Sequence, residues 1–124
     1  MSDGEGRGAD LRERAFEFGC AVLELHRVIY RQAPDLRSTS AQASSAAGSV
    51  GANLEEADAA QSRADFISKC NIALKEARES RYWLRMLNRA FERERERISA
   101  LIAESTELIA ILTTIVRKSR NPER

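Results

Sequence analysis

Apolar residues recur along this chain at alternating steps of four and three. Leu11, Ala15, Phe18, Val22, Leu25 and Ile29 are spaced 4, 3, 4, 3 and 4, the seam of a helix packed on other helices in a coiled-coil-like way, which predicts helix 1 over about residues 10–32. Phe16, Leu23, His26 and Tyr30 form a second stripe beside that seam, so the apolar face of helix 1 is wider than one partner helix covers. Pro34 closes the segment, because the residue before a proline is driven out of the helical region. Helix 2 is predicted over about residues 36–59, with Ala43, Ala46, Ala47, Val50, Leu54 and Ala57 inward, nearly all of them small. Ser62 followed three residues on by Asp65 reads as a weak capping box. It opens helix 3, predicted over about residues 63–90 with the seam Phe66, Cys70, Ala73, Ala77, Ser80, Leu84, Leu87 and Phe91. A turn is expected near the charged run "ERERER", residues 92–97. Helix 4, about residues 97–117, then shows Ile98, Leu101, Ile102, Leu108, Ile109, Leu112, Ile115 and Val116. The Gly-rich residues 1–9 are expected to be a disordered tail, and residues 118–124 a frayed one.

Four helices joined by short connections predict an all-α fold, an antiparallel up-down-up-down four-helix bundle. At 1.5 Å per residue its rods are roughly 30 to 40 Å long. The apolar stripes of helices 1 and 4 are broader than one bundle core requires, and a chain this small does not leave such area exposed as a monomer. Self-association is the expected consequence.

The segment "GSVGANLEEA" breaks the pattern inside helix 2. Each glycine in a helix interior costs about 0.5–1 kcal/mol relative to alanine, so Gly48 and Gly51 need a compensating reason. Ser44, Gly48 and Ala52 share one face, as do Ala47 and Gly51, and small residues at that spacing let another backbone or a bulky side chain come close. Trp83, Tyr82, Phe16 and Phe18 are the aromatics available to fill such a groove. Beside the apolar seam, Ser49, Asn53 and Glu56 make a polar strip, and helix 3 carries Glu76, Glu79 and Trp83 at the same periodicity with Lys75 alongside. Asn both donates and accepts and Lys75 neutralises a carboxylate, so a satisfied polar network is expected inside a subunit or across an interface.

Composition narrows the chemistry. Twenty Lys and Arg against nineteen Asp and Glu leave a formal net charge of +1, so no overall field draws in nucleic acid or an anionic membrane, and any basic surface is local. The N-terminal "MSDGEGRGAD" has the pattern of neither a signal nor a transit peptide, and no apolar run is expected to reach the roughly 18 residues of a membrane span. A cytoplasmic protein is expected, with Cys20 and Cys70 acting as small apolar groups in a reducing compartment. The sole histidine, His26, lies on an apolar stripe and reads as a core or interface residue. Nucleophilic catalysis needs a Ser or Cys placed near it. The chain contains no ExxH, HExxH, CxxC, GxxxxGK or GxGxxG, so di-iron, zinc, P-loop and dinucleotide sites lack support. Glu76 and Glu79 without imidazoles are weak grounds for a metal. No enzyme activity, cofactor or small-molecule substrate is inferred. Arg78, Arg81, Arg85 and Arg89 step by 3, 4 and 4 along helix 3, a local stripe able to track phosphates without reading sequence, unless neighbouring Glu residues balance it.

"GSVGANLEEADAAQSRADF" and "SKCNIALKEARESRYWLRML" together resemble the four-helix bundle proteins encoded in intervening sequences of bacterial 23S ribosomal RNA genes. The match runs through Ser49, Gly51, Ala52, Asn53, Glu56, Ser62, Asp65, Phe66, Lys75, Glu76, Glu79, Tyr82 and Trp83. The resemblance implies an up-and-down bundle assembling as a homopentameric ring of poorly defined activity. A related branch, the accessory protein of diversity-generating retroelements, implies a role beside a reverse transcriptase and RNA, although the near-zero net charge here departs from that strongly basic protein. Two functions follow as expectations: a non-catalytic homo-oligomeric scaffold, and a nucleic-acid-binding accessory protein acting with a reverse transcriptase.

Overall fold

The computed structural model describes residues 3–121, and they form four long helices with no strand among them. Helix α1 spans Asp3–Gln32, α2 Arg37–Asp58, α3 Arg63–Ala90 and α4 Arg95–Arg120. The expected disordered tail is therefore corrected, since residues 3–9 continue α1. Residues 118–120 likewise belong to α4, while 1–2 and 122–124 lie outside the described residues. Nothing in residues 3–9 stops a helix: glycines lower its propensity, but no proline interrupts it.

The two outer connections use one device. Ala33 leaves the helix with φ −140° and ψ 78°, and Phe91 does so with φ −124° and ψ 84°. Each still donates its amide to the carbonyl four residues back, Ala33 to Ile29 and Phe91 to Leu87, both at 2.8 Å. A short 3₁₀ turn follows in each case, Pro34–Leu36 and Glu92–Glu94. No described residue has positive φ, which is why a chain so poor in glycine can turn at these points. The buried Phe91 ring anchors the second turn in the core. At the middle connection the Ser62 hydroxyl accepts from the Asp65 amide at 3.0 Å, and the Asp65 carboxylate accepts from the Gln61 amide at 3.3 Å, close to a reciprocal capping box.

Helix α1 packs along α2, α2 along α3 and α3 along α4, whereas α1 and α4 meet over a much shorter length. Two apolar clusters fill the interior. Toward the 3₁₀ turns lie Phe18, Val22, Leu25, Ile29, Leu84, Leu87 and Ile98. Toward the other end lie Ala15, Val50, Leu54, Cys70, Leu74, Leu112 and Val116. Cys70 is buried, and loss of hydration pushes its thiol pKa up, the behaviour of a packed apolar group. The expectation of no long apolar run is corrected at α4: Glu92–Arg120 has a window of mean hydropathy 1.6, long and apolar enough to cross a membrane by length and composition. In the bundle, Ile98, Leu101, Leu108, Leu112 and Val116 of this helix are core residues.

Small residues set how closely the first two helices approach. A Cβ built on Gly51 would lie 3.6 Å from the Ala15 carbonyl carbon and the Phe16 nitrogen, and one on Gly19 would lie 3.5 Å from the Ala47 oxygen and the Gly48 Cα. A methyl group fits at those distances and a longer side chain does not. Gly51→Ala is therefore expected to be neutral or stabilising by up to about 1 kcal/mol through helix propensity. Gly51→Leu is expected to destabilise by about 1–3 kcal/mol through overpacking, as read by urea unfolding at matched protein concentration.

Candidate interaction surfaces

The close approach of α1 and α2 leaves a groove on their outer side. Phe16, Cys20 and Leu23 of α1 and Ser44, Gly48 and Ala52 of α2 line a space of about 380 Å³, with Arg12 and Glu55 at its edge. Gly51 has the intrachain contact expected of it. Gly48 does not, since a Cβ there would meet no atom within 4 Å. Ala52 is exposed beside it. Of the aromatics expected to fill the groove, Phe16 forms a wall and is 59% exposed, while Phe18 is buried in the core and 2% exposed. Trp83 packs on the core cluster, and Tyr82 on α3 is 54% exposed.

The two polar strips do not link inside the subunit. The Ser49 hydroxyl donates to the Ser45 carbonyl at 2.9 Å, and Asn53 Nδ2 to the Ser49 carbonyl at 2.8 Å. Trp83 Nε1 donates to Glu79 Oε1 at 3.3 Å, with the Tyr82 and Trp83 rings edge to face at 5.2 Å. Every one of these contacts stays within its own helix, where Ser and Asn find neighbouring carbonyls most easily. Glu56 and Lys75 are exposed and make no ion pair among the described residues. Glu76 is half-buried; loss of hydration, and then the charge of Glu79, push its pKa above the usual glutamate range, with Lys75 opposing. A carboxylate in that position lacks the neutralising partner that a finished network would supply.

Of the arginine stripe, Arg78, Arg85 and Arg89 are exposed, and none of the four forms an ion pair among the described residues. Arg81 leans toward α4, its guanidinium 3.5 Å from the Thr106 hydroxyl. Direct pairing of this stripe with neighbouring Glu is not found among the described residues.

Three contacts escaped the sequence reading. Arg14 of α1 grips Glu104 of α4 in a two-pronged contact at 2.7 and 2.8 Å, which raises the arginine pKa and bridges the sparse α1–α4 seam over a hollow floored by Phe18, Ala21 and Leu101. Arg12 pairs with Asp58 at 2.9 Å. His26 Nδ1 lies 2.6 Å from the Ser40 oxygen, across the α1–α2 turn, with the imidazole and Tyr30 rings nearly perpendicular at 5.9 Å and Arg37 stacked on the Tyr30 ring at 4.1 Å. The pairs are 90, 46 and 14 residues apart, so no periodicity announces them. The Ser–His pair differs from an attacking dyad: Ser40 is 1% exposed and its hydroxyl also reaches the Arg37 carbonyl at 3.2 Å, leaving no approach for a substrate. Among the described residues, no three His, Cys, Asp or Glu side chains gather as metal ligands.

Comparison with known proteins places this geometry in context. Residues 9–114 match the family described as 23S rRNA-intervening sequence protein. Among solved structures, a protein of unknown function from the S23 ribosomal protein family of Bacteroides thetaiotaomicron is similar at 38% identity and a TM-score of 0.78, over 86% of this chain and 97% of that one. Comparison with curated proteins finds no match.

The state of Glu76 is directly testable. Its raised folded-state pKa means that the folded chain holds the proton more tightly than the unfolded one, so stability falls as pH rises through that range. Glu76→Gln is expected to melt higher than the wild type at pH 7 and to match it below about pH 4, where the carboxyl is protonated in both states. Melting scans from about pH 3 to 8 check this, and a Gln variant that melts lower at pH 7 would mean that the carboxylate has a cationic or hydrogen-bonding partner.

Proposed function

The chain belongs to the 23S rRNA-intervening sequence protein family, and we propose that it works there as a non-catalytic, self-associating helical scaffold in the cytoplasm. The observation that supports this reading is the exposure of six large apolar side chains, Phe16, Leu23 and Tyr30 on α1 and Ile72, Tyr82 and Met86 on α3. Large apolar side chains left exposed on so small a bundle favour association, and the open groove over Gly48 adds concave area suited to a partner. A closed ring gives every copy the same environment, and the pentamer implied by the family resemblance is the assembly we favour. The main ligand of such a protein is itself.

A second reading is favoured by one observation, the three exposed and unpaired arginines Arg78, Arg85 and Arg89. Repeated around a ring, they make a basic band able to hold the phosphates of RNA or DNA, as an accessory protein beside a reverse transcriptase would require. Binding of this kind is blind to sequence and weakens steeply with salt.

Sedimentation at micromolar concentration tests the first reading: the expected particle is about five times the 13.9 kDa chain, and a solitary chain would overturn it. Gel-shift titration across salt tests the second. Arg85→Glu with Arg89→Glu is expected to abolish retention of a single-stranded RNA that the wild type holds at low salt, and equal retention by both would overturn it.

A further inference from the structure

Gly48 has no reason to be glycine inside the subunit. Its missing Cβ would meet nothing within 4 Å, and the approach of α1 at this level is set by Gly19, whose own Cβ would sit 3.5 Å from the Gly48 Cα. The helix thus gives up propensity without drawing any part of its own chain closer. What the absent side chain does is keep the groove open between the exposed walls of Phe16 and Leu23. An open apolar hollow of this shape is suited to a bulky side chain from outside the subunit.

The same chain carries a complementary projection. Tyr82 and Met86 stand one turn apart on α3 and are 54% and 43% exposed. They are flanked by Arg78 and Arg85, which have no acidic partner among the described residues. The groove has the opposite charge at its edge: Glu55 lines it and is exposed, with no ion pair among the described residues. Arg12, which also lines the groove, is already held by Asp58 at 2.9 Å. Because α1 and α3 are not packing neighbours in the bundle, the hollow and the projection cannot satisfy each other within one chain. They are also unlike surfaces, as a head-to-tail contact requires.

We propose that the α1–α2 groove over Gly48 receives Tyr82 and Met86 of a second copy of this chain, with that copy's Arg78 and Arg85 toward Glu55. The contact rests on the self-association proposed above and specifies which surfaces carry it. Arginine near an aromatic anchor, around a desolvated pocket, is the usual composition of an interface centre.

Two variants remove one side each. Gly48→Leu fills the hollow from within, and the free space around position 48 leaves the subunit fold intact. Tyr82→Ala with Arg85→Glu removes the projection. Each variant is expected to keep its helical circular dichroism yet sediment as a single chain at a concentration where the wild type is assembled. Mixed in equal amounts, they retain one good groove and one good projection between them, and a two-chain particle that grows no further is expected. A wild type that is itself a single chain would overturn the self-association reading and this contact with it. An assembled wild type with Gly48→Leu assembled to the same size would overturn the contact alone. Single-chain variants that fail to combine would overturn the head-to-tail pairing. If the Tyr82 and Arg85 double variant assembles normally but loses RNA retention, the α3 face serves nucleic acid and the proposal fails.

Discussion

Close approach of α1 to α2 is the constraint from which the other features follow. Their backbones come within the width of one methyl group at Gly19 and Gly51, and the inward residues of α2 include Ala43, Ala46, Ala47 and Ala57, all buried. With so little volume between the two helices, the large residues beside the α1 seam have no interior position to occupy. Phe16 and Leu23 therefore stand outside at 59% and 48% exposure, while Phe18 and Val22, on the inward side of the helix, take the core. Tight packing on one side of α1 and exposed apolar area on the other are two consequences of the same small residues. An isolated small domain gains little by such an arrangement; a subunit with partners gains an interface.

The bundle is built from two similar helical hairpins. In both, one extended residue and a 3₁₀ turn reverse the chain, and neither turn needs positive φ. The hairpins meet chiefly through α2 and α3, leaving the α1–α4 side sparsely packed. There the Arg14–Glu104 contact spans the gap with side chains 41% and 29% exposed, in a solvation regime where such pairs contribute about 0.2–1 kcal/mol. It serves as a positional tie across the seam more than as a source of stability. Core packing by Leu25, Ile29, Leu84, Leu87 and Leu108 carries the larger share.

Helical periodicity made most of the fold legible. The seam from Phe66 to Phe91 located α3 at Arg63–Ala90 because Ser62 supplies a side-chain cap at one end and the departure of Phe91 ends the other. Boundaries were less legible where no cap marks them: α1 runs back to Asp3, and α4 begins at Arg95 inside the charged run, since Glu and Arg are good helix formers with no stop signal among them. The glycines of α2 announced a close contact, but only the packing of α1 on α2 separates Gly51, where a Cβ would touch α1, from Gly48, where a Cβ would meet nothing within 4 Å. The polar strips were visible as periodic positions, yet the partners of their side chains were not, because Ser49 and Asn53 turn to carbonyls of their own helix. His26 beside Ser40 depends on how the α1–α2 turn folds back, which no spacing encodes. The surplus of apolar surface was readable from Phe16, Leu23 and Tyr30 at steps of seven; where it goes is a matter of assembly.

Cysteine reactivity tests most directly whether the groove opened by close α1–α2 packing is covered when copies associate. Cys20 lines the groove and is partly accessible, whereas Cys70 is buried. Labelling with a fluorogenic maleimide across a wide range of protein concentration is predicted to modify Cys20 rapidly in dilute solution and slowly once the protein assembles, with Cys70 inert throughout. Equal Cys20 reactivity at every concentration, in a protein shown to be assembled at the upper end, would contradict the account.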